Sequence, residues 1–226
     1  MWAVVPFKGS VEAKGRLAAH LSAEERHELV THMLDDVLSA LTDSRFLAGV
    51  VVVSRAPEAS GFAHRHGVQL YADVADDLSG AVAEASHYLV SSYGATGTFF
   101  VPGDIPLITG DEVDAAVQSH ADVTIIPDRN DVGTNGLLSS PPNAFQYLFD
   151  GKSFKPHQRE ATEAGYQPQV LRLPGFGLDI DTISELNALA REDRDIASLR
   201  FLKKSGIASR LFAEDTGVPA RDCENE

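Results

Sequence analysis

Residues 49–54 read GVVVVS, four consecutive β-branched residues with no polar alternation. A strand with one face in water alternates apolar and polar side chains; an unbroken run marks a strand covered on both faces. Both faces are covered when helices pack above and below a parallel sheet, and the rest of the chain supplies those helices. WAVVPF (2–7), TGTFFVPGD (96–104) and DVTIIPD (122–128) read as further buried strands, and HGVQLYAD (66–73) as a weaker one. Between them, SAEERHELVTHMLDDVLSAL (22–41) reads as a helix. Ser22 and Glu25 form a capping box, and Leu29, Met33, Val37 and Leu41 share one face. DLSGAVAEASHYLVSS (77–92), TGDEVDAAVQSH (109–120, with Thr109 as N-cap) and SFKPHQREATEAG (153–165) also read as helices, as do 182–193 and 195–204. QVLRLP (169–174) and GLDIDT (177–182) read as extended. Such alternation predicts right-handed βαβ units in an α/β, three-layer, doubly wound, mostly parallel sheet. The 129–180 stretch breaks the alternation, so mixed strands are expected there.

The length of 226 residues and the 43% hydrophobic content predict one domain, residues 1–213, followed by a polar, flexible tail at 214–226. The formal charge of −14 argues against nucleic-acid polymers and anionic membranes as partners, while leaving room for a small phosphorylated ligand. The single cysteine, Cys223, excludes an intramolecular disulfide and a cysteine metal cluster. No apolar run has signal-peptide or membrane-spanning length, so a cytoplasmic location is the expectation. There is no GxGxxG, P-loop, GxSxG or HExxH motif. The pair His64 and His66 reads as surface, and so do most of the scattered histidines.

Four constellations carry chemistry, each at the expected C-terminal end of a strand, where doubly wound sheets bind ligands. PFKGSVEAKGRL (6–17) places Lys8, Lys14 and Arg16 in a loop with two glycines, either a polyphosphate clamp or solvated loop charges. In VPGDIPLIT (101–109), Asp104 is fenced by two prolines and suits a hard cation such as Mg²⁺, or else caps a turn. In GFGLDIDT (175–182), Asp179 and Asp181 would share one face of an extended segment. Two carboxylates there repel by about 3 kcal/mol at an effective dielectric near 20, a penalty that a shared cation removes. The alternative has Asp181 capping the next helix. Lastly, PDRNDVGTNGLL (127–138) and LFDGKSFKPH (148–157) collect Thr134, Asn135, Gly151 and Ser153 ahead of a helix N-terminus. These read as a cradle for a small anion, or as a β-turn with an Asx-type cap.

Taken in order and spacing, VPFK…AKGRL, PGDIPL, PDRNDVGTNGLL, GKSFKPH and LDIDT resemble the 2-phospho-L-lactate / phosphoenolpyruvate guanylyltransferase family of coenzyme F-420 biosynthesis, over about residues 3–190. The resemblance implies a nucleotidyltransferase fold of the nucleotide-diphospho-sugar-transferase (GT-A-like) kind. It implies transfer of GMP from GTP to a phosphorylated three-carbon acid (2-phospho-L-lactate, phosphoenolpyruvate or 3-phosphoglycerate) with release of pyrophosphate. It further implies Asp104, Asp179 and Asp181 as Mg²⁺ ligands, and Lys8, Lys14 and Arg16 as triphosphate contacts. Thr134, Asn135, Asp150, Gly151 and Ser153 would cradle the acceptor. The product would pass to the next enzyme of the pathway, and a homodimer is an open expectation. Two departures stand out. DLSGAV, with Asp77, Leu78 and Ser79, replaces a Gly-Leu-Asn segment, and Asp150 in DGKS stands at a glycine position. The competing expectations are a Mg²⁺-dependent nucleotidyltransferase with a molybdopterin or sugar-phosphate acceptor, and a non-catalytic nucleotide-binding protein.

Overall fold

The valine run is a strand, and Val50, Val51, Val52 and Val53 are all buried. Val50 and Val52 enter one apolar layer and Val51 and Val53 the other, as the two-residue period of a strand requires. Ala3 and Val5 against Val4, and Phe99 against Phe100, divide in the same way. A computed structural model describes residues 1–9 and 14–216 of the chain. Its strands are β1 (Trp2–Pro6), β2 (Gly49–Ser54), β3 (Gln69–Ala72), β4 (Thr98–Phe100), β5 (Val123–Pro127), β6 (Thr134–Ser139) and β7 (Gln169–Val170). Its helices are α1 (Ala23–Thr42), α2 (Ala59–His66), α3 (Leu78–Tyr93), α4 (Gly110–Ser119), α5 (Phe154–Glu163), α6 (Ile183–Ala190), α7 (Ala197–Lys204) and α8 (Ile207–Thr216).

The sheet runs β3-β2-β1-β4-β6-β5-β7. Every neighbouring pair is parallel except those of β6, which runs antiparallel to both β4 and β5. Helices α1, α2, α4, α6, α7 and α8 pack on one face, and α3, α5 and the 143–149 segment on the other. The three-layer, doubly wound, mostly parallel architecture is the expected one. No helix among the described residues is long and apolar enough to cross a membrane.

The local reading of several elements is also met. Ser22 and Glu25 make a reciprocal capping box on α1, and Thr109 with Glu112 makes one on α4. Other expectations need refinement or correction. PDRNDVGTNGLL, besides its turn, begins the mixed strands expected after 129: it is a β-hairpin that leads straight into β6, whose place the sequence reading leaves open. The second of its two glycines packs closely: a Cβ on Gly136 would lie 2.8 Å from Ile126 Cδ1 and 3.1 Å from Ile126 Cβ across the strand pair. GLDIDT forms no strand of the sheet: after a 3-10 turn at 174–177, Leu178 and Thr182 have the extended backbone expected, and the segment is tied down by the Ile180 N–H bond to Asp104 O. Helix α2 was not anticipated, and His66 is half-buried against Asp35 at 2.9 Å rather than a free surface group. Helix α8 continues to Thr216, past the expected start of the tail at 214; residues 217–226 lie outside the described ones.

The 3-10 turn is held tightly. Phe176 is fully buried and stacks on Phe99, with ring centres 5.9 Å apart. A Cβ on Gly175 would meet Leu107 O at 2.5 Å, so only glycine fits there. Phe176→Ala is expected to lower stability by about 3–5 kcal/mol, read as a shift of the urea midpoint. A change too small to resolve would contradict this packing.

Candidate active site

Strands β1 and β4 lie side by side and parallel, so their C-terminal loops open at the same sheet edge. The first carries Phe7, Lys8 and Gly9; the second carries Pro102, Gly103 and Asp104. Together they line a cavity of about 280 Å³, with Lys14, Leu78, Phe100 and Asp181 on its remaining walls. Because β6 is reversed, its first residues lie at this edge too: Leu137 pairs with Phe100, and Thr134 with Pro127. A second cavity of about 360 Å³ opens there. It is lined by Gly133, Thr134, Asn135, Phe149, Gly151 and Ser153, by Asp104, Asp179 and Asp181, and by Arg16 and Glu185. The two cavities share Leu78, Phe100, Pro102, Asp104 and Asp181.

The acidic residues meet across the wall between them. A backbone hydrogen bond from Ile180 N–H to Asp104 O, 3.1 Å, ties the 178–181 segment to the loop after β4. Lys14 donates to Asp104 Oδ2 at 2.5 Å and to Asp181 Oδ1 at 2.6 Å. Its side chain is only 8% exposed. Burial would lower its pKa, but Asp104 and Asp181 outweigh burial and hold it further above the ordinary lysine range. Lys14 itself sits in the left-handed backbone region, φ 57°. Arg16 approaches Asp181 at 3.9 Å from an exposed position, and Lys8 is exposed on the first cavity's rim. Asp179 accepts from Asn135 Nδ2 at 3.3 Å. Burial, and then the charges of Asp104 and Asp181, push its carboxyl above the usual carboxylate range. Among the described residues no three carboxylate, imidazole or thiol groups converge closely enough to hold a metal ion. Lys14 takes up two of the acids, and Asn135 contacts the third. The donor set, all carboxylate oxygens around one cavity, nevertheless has the charge and ligand type of a hard-cation site.

Asp181 does not cap the following helix; Thr182 does, in a capping box with Glu185. In the hairpin, the Asx-type cap and the cavity wall are both present. Asp128 accepts from the N–H groups of Asn130, Val132 and Gly133, while Gly133 and Thr134 face the cavity. Asp150 is not brought to the cavity wall. Its N–H donates to Leu148 O, and its carboxylate accepts from Lys152 N. Asn135 is partly a brace, donating to Phe176 O at 2.8 Å. The DLSGAV segment gains definite roles: Asp77 caps α3, Leu78 lines both cavities, and Ser79 accepts from Phe149 N. His157 was missed as a buried group. Its spacing from Phe154 and Ala161 on the inner face of α5 was the available signal.

A family model described as "Guanylyl transferase CofC like" matches residues 1–216. The chain belongs to the CofC-like guanylyl transferase family. It is 37% identical over 190 residues to a phosphoenolpyruvate guanylyltransferase of Sphaerobacter thermophilus, covering 83% of this chain and 91% of the relative. It is 28% identical over 229 residues to a 2-phospho-L-lactate guanylyltransferase of Methanoculleus marisnigri, covering 99% and 97%. A nucleotidyl transferase structure from Methanothermobacter thermautotroptrophicus superposes with a TM-score of 0.66 at 18% identity, covering 90% of this chain and 98% of that one. This CofC-like protein is therefore an enzyme, a guanylyltransferase with the expected nucleotidyltransferase fold.

The buried imidazole gives this CofC-like chain a measurable acid response. Burial pulls the His157 pKa down to about 4, with the Asp150 charge acting in the opposite direction. The unfolded chain takes up that proton near pH 6.5. The contribution of the neutral ring is thus complete above pH 6.5, declines as pH falls and is lost by about pH 4. Urea unfolding of wild type and His157→Gln is expected to show a stability gap narrowing by about 3 kcal/mol from pH 7 to pH 4. A gap independent of pH would contradict it.

Proposed function

We propose that this guanylyltransferase binds GTP in the first cavity and a phosphorylated three-carbon acid in the second. It transfers GMP to the acid's phosphate and releases pyrophosphate, as a step toward coenzyme F-420. The observation that carries this reading is the adjoining pair of cavities with Asp104 and Asp181 in their common wall. Two substrates between which a guanylyl group must pass need such a shared boundary. Phosphoenolpyruvate is the first acceptor to test, because the relative at 37% identity carries that activity in its name.

The chain's own groups divide the work. Lys8 and Lys14, on the first cavity, neutralise the triphosphate there, and Arg16, on the second cavity's wall beside Asp181, adds its charge at the boundary between the two; Lys and Arg suit phosphate as point charge and fork. Thr134, the Gly151 backbone and Ser153 at the N-terminus of α5 hold the acid's phosphate. An acceptor phosphate is already ionised at neutral pH, so its oxygen attacks the α-phosphorus without a general base. The bond from the α-phosphorus to the bridging oxygen breaks, and its electrons leave with pyrophosphate. Asp104, Asp179 and Asp181 would hold Mg²⁺, which supplies charge neutralisation on the phosphate oxygens when bound. Lys14 holds Asp104 and Asp181 in the described structure, so these two carboxylates would be free to hold the ion only with the ammonium turned away from them, toward the first cavity that Lys14 also lines. Positioning and charge neutralisation account for the catalysis.

The test is pyrophosphate release from GTP and Mg²⁺ with phosphoenolpyruvate, 2-phospho-L-lactate or 3-phosphoglycerate, coupled to the next enzyme of the pathway. Release dependent on one acid is expected. Asp104→Asn and Asp179→Asn should each lower the rate by about 100-fold or more in a protein that stays folded. Full Mg²⁺-dependent activity in both variants would remove the metal assignment.

A further inference from the structure

Behind the second cavity, His157 is fully buried, enclosed edge-on by Phe149 at 4.8 Å and Phe145 at 6.0 Å. It makes two side-chain hydrogen bonds, and together they assign its tautomer. The Leu148 backbone N–H donates to Nε2 at 2.9 Å. A backbone amide can only donate, so Nε2 must present a lone pair. In a neutral ring the proton then resides on Nδ1, and Nδ1 faces Thr134 Oγ1 at 3.0 Å. The Thr134 oxygen accepts that proton's hydrogen bond, so its own O–H must point elsewhere. Among the described residues the hydroxyl has no other partner, and Thr134 lines the cavity.

We propose that His157 is a positioning residue that sets the Thr134 hydroxyl as a hydrogen-bond donor into the acceptor cavity. The chain of polarity runs from the Leu148 N–H through the imidazole to the Thr134 O–H, each group donating to the next. The cavity is thereby preset for an oxyanion, a phosphate or carboxylate oxygen, at Thr134. A ligand offering a hydroxyl proton there meets a donor facing a donor. The direction cannot reverse without breaking the Leu148 bond, because a proton on Nε2 would point at another N–H. This deepens, and rests on, the reading of the second cavity as the acceptor site.

Two amide variants separate the two ends of the ring. In His157→Asn the amide nitrogen takes the place of Nδ1–H and keeps a donor on Thr134. In His157→Gln the amide oxygen takes the place of Nε2 and accepts from Leu148 N–H, leaving Thr134 without its donor. Steady-state pyrophosphate release is measured with GTP and phosphoenolpyruvate (or whichever acid supports wild-type turnover). GTP binding is followed separately by calorimetry and folding by circular dichroism. His157→Gln is expected to raise the KM for the acid about 10-fold, with kcat and GTP affinity little changed. His157→Asn should stay within about threefold of wild type. In a Thr134→Val background, His157→Gln should add nothing further to the acid's KM, because the hydroxyl it orients is gone.

A wild-type acid KM in His157→Gln, or additive effects of His157→Gln and Thr134→Val, would overturn the positioning role alone. Equal losses in the Asn and Gln variants that track thermal stability would also overturn it. A folded wild-type protein that binds GTP but releases no pyrophosphate with any of the three acids would overturn the acceptor reading as well, and is thereby distinguishable.

Discussion

The pairing of the two cavities depends on one reversed strand. Were β6 parallel to β4 and β5, Thr134 and Asn135 would lie at the far edge of the sheet, some 20 Å from the loops after β1 and β4. Inserted antiparallel, β6 brings its first residues to the edge where the parallel strands end. A short hairpin is sufficient for this, because antiparallel neighbours need no crossover helix. Asp128 stabilises the reversal by accepting from three backbone N–H groups of the turn. The second cavity is thus a product of sheet topology, and its polar lining follows from the residues that begin one strand.

The second organising element is charge. In a chain with a formal charge of −14, three carboxylates around one cavity repel each other, and burial makes that repulsion more costly. The ammonium of Lys14 relieves it for Asp104 and Asp181, while burial and the two neighbouring charges hold the Asp179 carboxyl above the usual carboxylate range. The cluster therefore has a built-in demand for positive charge. In the described structure Lys14 meets that demand for two of the three acids.

The sequence disclosed elements whose signal is local and missed those set by tertiary contact. The valine run of β2, the capping boxes of α1 and α4 and the alternating order of strands and helices are written in short-range patterns. So are the candidate site residues, because loop cations, strand-end acids and glycine-flanked hydroxyls are unusual in themselves. Strand β6 was hidden because Thr134, Asn135 and Gly136 have turn-like chemistry. They form a strand only because Ile126 lies across Gly136 and Phe176 O holds the Asn135 amide. Helix α2 was hidden because two histidines and a glycine dilute its apolar face, which needs only Ala59, Phe62 and Ala63. His157 was hidden because a histidine's burial is decided by its neighbours. Here those are Phe145, Phe149 and the Leu148 amide, none of which share its helix.

Leu78, at the first turn of α3, lines both cavities. It sits between the Asp77 cap and the Ser79 hydroxyl that holds Phe149 N. In the proposed reaction a nucleotide in one cavity and an acceptor in the other would both rest against Leu78, as they would against Phe100 and Pro102. A displacement of these side chains by either ligand would be felt by the other, and such a linkage would be reciprocal, each ligand changing the other's affinity by the same factor.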